Sequence, residues 1–262
     1  MDLGLKGRRA LVLGGNRGIG YGIAHELAVE GADVVIAARD ASRLRQAEAD
    51  LAAVASGSIA TAELDLADTD ALPQFAEALT SRVGPIDILI NNTGGPPYGP
   101  ALGRAAQDWQ ESFQAMVMSI IALTDALVPA MRQRKWGRIV TVVSSGVIQP
   151  IPILAISNSL RAAVVGWSKT LSAELASDGI TANILVPGRI DTERVRLTDQ
   201  AVAEREGLPV EDVRSRSTAT IPIGRYGTPA EIGAAVAFLC SERAAYITGT
   251  MMRVDGGIVR SW

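Results

Sequence analysis

Cysteine, histidine and aromatic side chains are scarce in this chain. A single cysteine, Cys240, among 262 residues excludes an internal disulfide and is compatible with a reducing cytoplasm. One histidine, His25, and the lack of any Cys/His/carboxylate group at ligand spacing leave no metal site to propose. Charge of one sign is missing too: a formal net charge of −3 provides no basic footprint for a nucleic acid. Long apolar runs are absent, since the most apolar region, 138–156, is interrupted by Ser144, Ser145, Gln149 and two prolines and is too short and broken to span a bilayer. The opening "MDLGLKGRRALVLGG" has too short an apolar run for a signal peptide. The expectation is a soluble, cytoplasmic chain with neither nucleic acid nor membrane as a partner.

What is present is a large apolar fraction, 48% of residues, enough for a sizeable core. Runs rich in Val and Ile at 9–15, 33–39, 59–65, 86–92, 137–145, 180–187 and 251–257 read as strands. They are continuously apolar rather than alternating, as strands covered on both faces of a parallel sheet must be. Helical patterns near 18–30, 41–55, 70–82, 105–133, 156–177 and 228–241 lie between them. Strand-then-helix alternation predicts an α/β fold: a Rossmann-type, doubly wound, mostly parallel sheet of about seven strands with helices on both faces. No linker or repeat interrupts it, so residues 1–262 are read as one dinucleotide-binding domain. The one long irregular stretch, 188–227, is a candidate substrate lid.

After the first strand, "LGGNRGIGYGIAHELAVEGADVVIAARD" places Gly14, Gly18 and Gly20 at the junction of a strand and a helix. Glycines there permit a sharp turn, let a pyrophosphate approach the backbone and expose a helix N-terminus. An NAD site usually ends its second strand with an acidic residue for the ribose hydroxyls. This strand ends Ala37-Ala38-Arg39, and Arg17 lies within the glycine loop. Two guanidiniums and no carboxylate before Asp40 suit a 2′-phosphate, so NADP is favoured over NAD.

With these residues, the chain resembles the short-chain dehydrogenase/reductase family, and within it the 3-oxoacyl-acyl-carrier-protein-reductase-like members. The family's T-G-x-x-x-G-x-G appears as Leu13 through Gly20, its N-N-A-G as "NNTG" at 91–94, its acidic adenine contact as Asp65-Leu66 and its P-G motif as Pro187-Gly188. The stretch "IPIGRYGTPAEIGAAVAFLCSERAAYITGTMMRVDGG" at 221–257 matches the family's C-terminal part. The resemblance implies a cofactor set of Gly14, Asn16, Arg17, Gly18, Ile19, Gly20, Arg39, Asp65, Leu66, Asn91, Thr93, Gly94, Arg161, Pro187, Gly188, Ile190 and Thr192. It also implies hydride transfer to a small-molecule or acyl-thioester substrate, and a homo-oligomer, most simply a tetramer built on the apolar helices 105–133 and 156–177 with "VDGGIVRSW" near a contact.

The family's chemistry uses an Asn, a Ser, a Tyr and a Lys. The serine falls on Ser144. Counted without a gap, the tyrosine falls on Ser157, the lysine on Arg161 and the asparagine on Met116. Ser144, Ser157 and Arg161 are therefore the candidate catalytic residues, with no phenol and no ammonium among them. Arginine keeps a positive potential and can reach ribose hydroxyls, but it holds its proton and lacks the compact shape of an ammonium. Tyr98, in "GGPPYGP", is a speculative replacement acid; Tyr226 and His25 are expected to be structural. Two readings follow: an NADP-dependent oxidoreductase with an altered acid, and a catalytically weak or silent dinucleotide-binding protein that keeps the fold.

Overall fold

The computed structural model describes residues 2–261. Seven strands, β1 (Arg9–Leu13), β2 (Asp33–Ala38), β3 (Ile59–Glu63), β4 (Ile88–Asn91), β5 (Gly137–Val142), β6 (Ile180–Pro187) and β7 (Met251–Val254), form one all-parallel sheet in the order β3-β2-β1-β4-β5-β6-β7. Each strand turns alternate residues to opposite faces. Leu11 and Leu13 of β1 join one core with Val35 and Leu89, whereas Ala10 and Val12 join the other with Val34 and Ile90. Both faces are dry, which is why the strands read as unbroken apolar runs.

Helix α1 (Gly18–Val29), α2 (Ala41–Ala52) and α9 (Pro229–Cys240) cover one face through Ile23, Leu27, Leu44, Leu51, Ile232 and Val236. Helix α3 (Leu72–Val83), the pair α4 (Ala106–Phe113) and α5 (Ser119–Arg134), and α6 (Ala155–Leu175) cover the other through Leu79, Leu123, Leu127, Ile156 and Val164. The segment Ala106–Arg134 is long and apolar enough to cross a membrane by length and composition, and here it packs on the sheet.

Two expectations need correction. The predicted single helix over 105–133 contains a π-helical turn at Gln114–Met118, where the Ser119 N–H donates to the Gln114 carbonyl. The stretch 188–227 is not irregular. It holds α7 (Glu193–Glu206) and α8 (Val210–Thr218), started by the Thr192 cap and by Pro209 and separated by Gly207 in the left-handed region (φ 65°).

Strand order reverses direction between β1 and β4. In an open parallel sheet that switch point leaves a crevice beyond the carboxyl ends of the strands. The site lies there.

Candidate functional site

A cavity of about 990 Å³ opens over the ends of β1, β2, β4 and β5. Its wall at one end is the glycine loop. Gly14 (φ 61°) and Gly18 (φ 55°) hold left-handed conformations, and a Cβ at Gly20 would run into the Gly14 carbonyl and the Asn92 amide. Helices α2, α7 and α9 are capped by the side chains of Asp40, Thr192 and Thr228, whereas Arg17 gives α1 no side-chain cap. The first turn of α1 also carries no acidic residue. Its N–H groups thus face the cavity unneutralised, the donor set a pyrophosphate needs. Asn92 fixes the loop by donating its amide to the Leu13 carbonyl at 3.0 Å.

Cations gather at the end of the cavity beside β2 and α2: Arg17, Arg39 and Arg43 all line it. Asp40, the carboxylate nearest the end of β2, is committed to the helix cap and accepts from the Ser42 and Arg43 backbone N–H groups at 3.0 Å each. Its Oδ2 lies 3.5 Å from Arg43 Nε, so this carboxylate is already paired with a cation. Arg43 was not singled out by the sequence reading; its signal was a cation in the first turn of α2, directly after the Asp40 cap.

The far end is built on α6 and the π turn. Arg161 donates Nη1 to the Val142 carbonyl at 3.0 Å and Nη2 to the Gly94 carbonyl at 3.3 Å, strapping the end of β5 to the loop after β4. A single ammonium cannot span both acceptors in this planar geometry. Burial, with the nearby Arg194 charge, pulls the Arg161 pKa down to about 10. Ser157, one helical turn before it, is buried, and Met116 is 5% exposed and lines the same cavity. Ser144 follows β5 and accepts from the Gly146 N–H at 3.2 Å, which leaves its own O–H to donate elsewhere. A small second void, lined by Asn91, Thr93, Met116 and Arg161, lies behind this wall.

The start of α7 adds Thr192, Glu193 and Arg194 to the cavity lining. The helix is anchored by buried Asp199, which accepts from Tyr226 Oη at 3.0 Å and pairs with Arg189. Tyr226 is thus part of the scaffold. Tyr98 is half-exposed beside α7, its hydroxyl 3.2 Å from Thr198 Oγ1 and its ring 5.7 Å from the Arg194 guanidinium. Burial raises its pKa, but the Thr198 and Arg194 hydrogen bonds and the Arg194 and Arg189 charges outweigh it, so the phenol stands below its ordinary value. Tyr98 does not line the main cavity, although Pro96 and Pro97 do.

The structure thus gathers Gly14, Asn16, Arg17, Gly18, Ile19, Gly20, Arg39, Asp65, Leu66, Thr93, Gly94, Arg161 and Thr192 around one cavity. Asn91 stands behind it, donating to Thr141 Oγ1 at 3.3 Å. Ser144, Ser157, Pro187, Gly188 and Ile190 lie outside the main cavity's wall; Gly188 packs on Asp255 and Ile190 is in the core. His25 contacts Glu26 on α1. No group of three metal-ligating side chains occurs among the described residues.

Comparison with known proteins agrees with this geometry. A family model described as enoyl-(acyl carrier protein) reductase matches residues 14–259. The 3-oxoacyl-[acyl-carrier-protein] reductase of Escherichia coli K12 is 32% identical over 256 residues, covering 98% of this chain and 99% of its own. The NADPH- and L-sorbose-bound L-sorbose reductase of Gluconobacter frateurii superposes with a TM-score of 0.95 at 33% identity over the whole of both chains. The actinorhodin polyketide ketoreductase with NADPH gives a TM-score of 0.91 at 31% identity, covering 97% of this chain and 98% of that one. On the glycine loop, the strand order and these full-length matches together, the chain belongs to the short-chain dehydrogenase/reductase family.

Proposed function

We propose that this chain is an NADP-dependent oxidoreductase that moves a hydride between nicotinamide and a carbonyl or alcohol substrate. The observation that carries the reading is the uncapped α1 N-terminus opening onto a cleft that continues to Arg161. The dinucleotide, when bound, supplies the hydride chemistry. The chain supplies position: Gly14 to Gly20 hold the pyrophosphate, Arg17, Arg39 and Arg43 take the 2′-phosphate, and Arg161 lends positive potential to the nicotinamide ribose. Ser144, which directly follows cavity-lining Val143, donates its O–H to the substrate oxygen and orients the carbonyl. The activities of the relatives, reduction of 3-oxoacyl-acyl-carrier-protein, of L-sorbose and of a polyketide, favour a 3-oxoacyl thioester or a small ketone as substrate. The apolar helices α4–α5 and α6 favour a homo-oligomer, most simply a tetramer, and the single buried Cys240 suits a cytoplasmic setting.

The second reading, a dinucleotide-binding protein of little or no turnover, is favoured by Met116, Ser157 and Arg161 standing where the family has Asn, Tyr and Lys. NADPH consumption across a panel of ketones and one 3-oxoacyl thioester separates the two. Turnover that Ser144→Ala reduces supports the oxidoreductase; NADPH binding with no turnover on any panel member supports the silent protein.

A further inference from the structure

Three side chains from three elements meet at the adenosine end of the cleft. Glu193, the first residue of α7, accepts at Oε2 from Arg17 Nη1 at 3.2 Å and from Arg43 Nη1 at 2.8 Å, while its Oε1 accepts from Arg43 Nη2 at 3.3 Å. Arg43 thus grips the carboxylate with its planar fork, and Arg17 closes the arrangement from the glycine loop. The start of α7 also rests on that loop: a Cβ at Gly18 would sit 3.5 Å from the Thr192 methyl carbon. Arg39, the third cation, has no ion pair among the described residues.

A 2′-phosphate recruits the same N–H donors. Its oxygens and a carboxylate compete for one fork, and two anions held between two guanidiniums repel one another. We propose that Glu193 is a specificity-determining residue, an internal carboxylate that competes with the 2′-phosphate for Arg17 and Arg43 and so couples 2′-phosphate binding to release of the lid helix α7. The inference rests on the NADP reading above. It turns the preference for a 2′-phosphate from a property of the arginines alone into a balance between two anions. Hydrogen bonds first from Arg43 and then from Arg17 hold the Glu193 carboxyl at about 2, so the competitor stays charged through the neutral range. All three side chains are partly exposed, which keeps the effect modest.

The test measures binding of NADPH, NADH and the fragment 2′,5′-ADP to the full chain by calorimetry, with amide hydrogen exchange of 193–206 read alongside. Glu193→Gln should tighten NADPH and 2′,5′-ADP by about three- to tenfold and leave NADH within about twofold. In the unsubstituted protein, NADPH but not NADH should speed exchange in the first turns of α7, ahead of the Asp199 anchor; in Glu193→Gln that exchange should be faster without ligand. The gain should vanish when Arg43→Gln is added, because the two changes touch one interaction. A clear NADPH preference left unchanged by Glu193→Gln overturns the competitor and leaves the cofactor reading intact. Equal NADPH and NADH affinities that Glu193→Gln turns toward NADPH overturn the stated preference and support the competitor. Loss of NADH affinity in Glu193→Gln would mean that the carboxylate serves ribose hydroxyls, which also overturns the proposal.

Discussion

The two ends of one cleft are built on opposite terms. At the adenosine end every feature a phosphate needs is in place: left-handed glycines, an uncapped helix N-terminus and three arginines. At the nicotinamide end the scaffold is equally ordered, with Arg161 strapped to two carbonyls and Ser157 buried, yet the proton-donating phenol and the ammonium are absent from their positions. The first end depends on backbone shape, which a strand–loop–helix junction fixes through the positions of its glycines. The second depends on the identities of a few side chains, which can change without disturbing that backbone. Binding and proton transfer are therefore separable here.

The sharpest attempt to break the contrast restores the missing groups. The triple change Met116→Asn, Ser157→Tyr and Arg161→Lys should raise ketone turnover by about 10²–10⁴, the usual contribution of a positioned general acid. Each single change should do little, because residues that act as a unit are strongly non-additive. Steady-state kcat across a ketone series reads this out. Rapid turnover by the unsubstituted protein, abolished by Tyr98→Phe, would instead show that the acid has moved to the loop beside α7.

At the other end, Gly20→Val should weaken NADPH binding by about ten- to a hundredfold, since the new side chain meets the Gly14 carbonyl and the Asn92 amide. Fluorescence titration gives the constant, and an unchanged far-ultraviolet circular dichroism spectrum would localise the damage to the loop. Arg39→Asp should act more selectively, costing NADPH about tenfold relative to NADH. If NADH binds the starting protein as tightly as NADPH, the argument from the arginines fails.

The smallest effect concerns a region that should be indifferent to either end. Glu231 closes a capping box on Thr228 and takes both Nη groups of Arg225 at 2.9 and 2.7 Å, and hydrogen bonds first from Arg225 and then from Thr228 hold its carboxyl at about 2. Its folded pKa lies below the unfolded value, so its stabilisation is present above the ordinary carboxylate range and is lost as pH falls toward 2. Glu231→Gln should lower the melting temperature by about 2 °C at neutral pH. The difference should shrink on acidification, with NADPH affinity unmoved.

Much of this was legible in the amino-acid sequence, for reasons that particular elements make plain. The sheet could be read because burial on both faces leaves strands such as Ile88–Asn91 and Ile180–Pro187 no polar alternation to confuse the signal. The glycine loop could be read because Gly14, Gly18 and Gly20 are required by backbone shape. Helices α7 and α8 could not be read from periodicity: they bury only Asp199, Ala203 and Val213, too few apolar positions to mark a face. Their starts and stop were available in Thr192, Pro209 and Gly207. Glu193 escaped because its main partner, Arg43, lies 150 positions away in the chain, and ion pairs over such spans carry no local pattern. The π turn escaped because one extra residue in a helical turn barely alters the spacing of apolar side chains.

That π turn has a consequence for how readily the site could change again. Its hydrogen bonds bypass the side chain at 116: the Ser119 N–H reaches back to the Gln114 carbonyl, and the Ser119 hydroxyl donates to the Ala115 carbonyl at 2.8 Å. The distortion is held by its own main chain and by a serine three residues on. Met116 is therefore a tenant of a niche it does not maintain. A different occupant at 116 would enter a ready-made bend, so ancestry and engineering alike could exchange this one member of the catalytic set without rebuilding the helix.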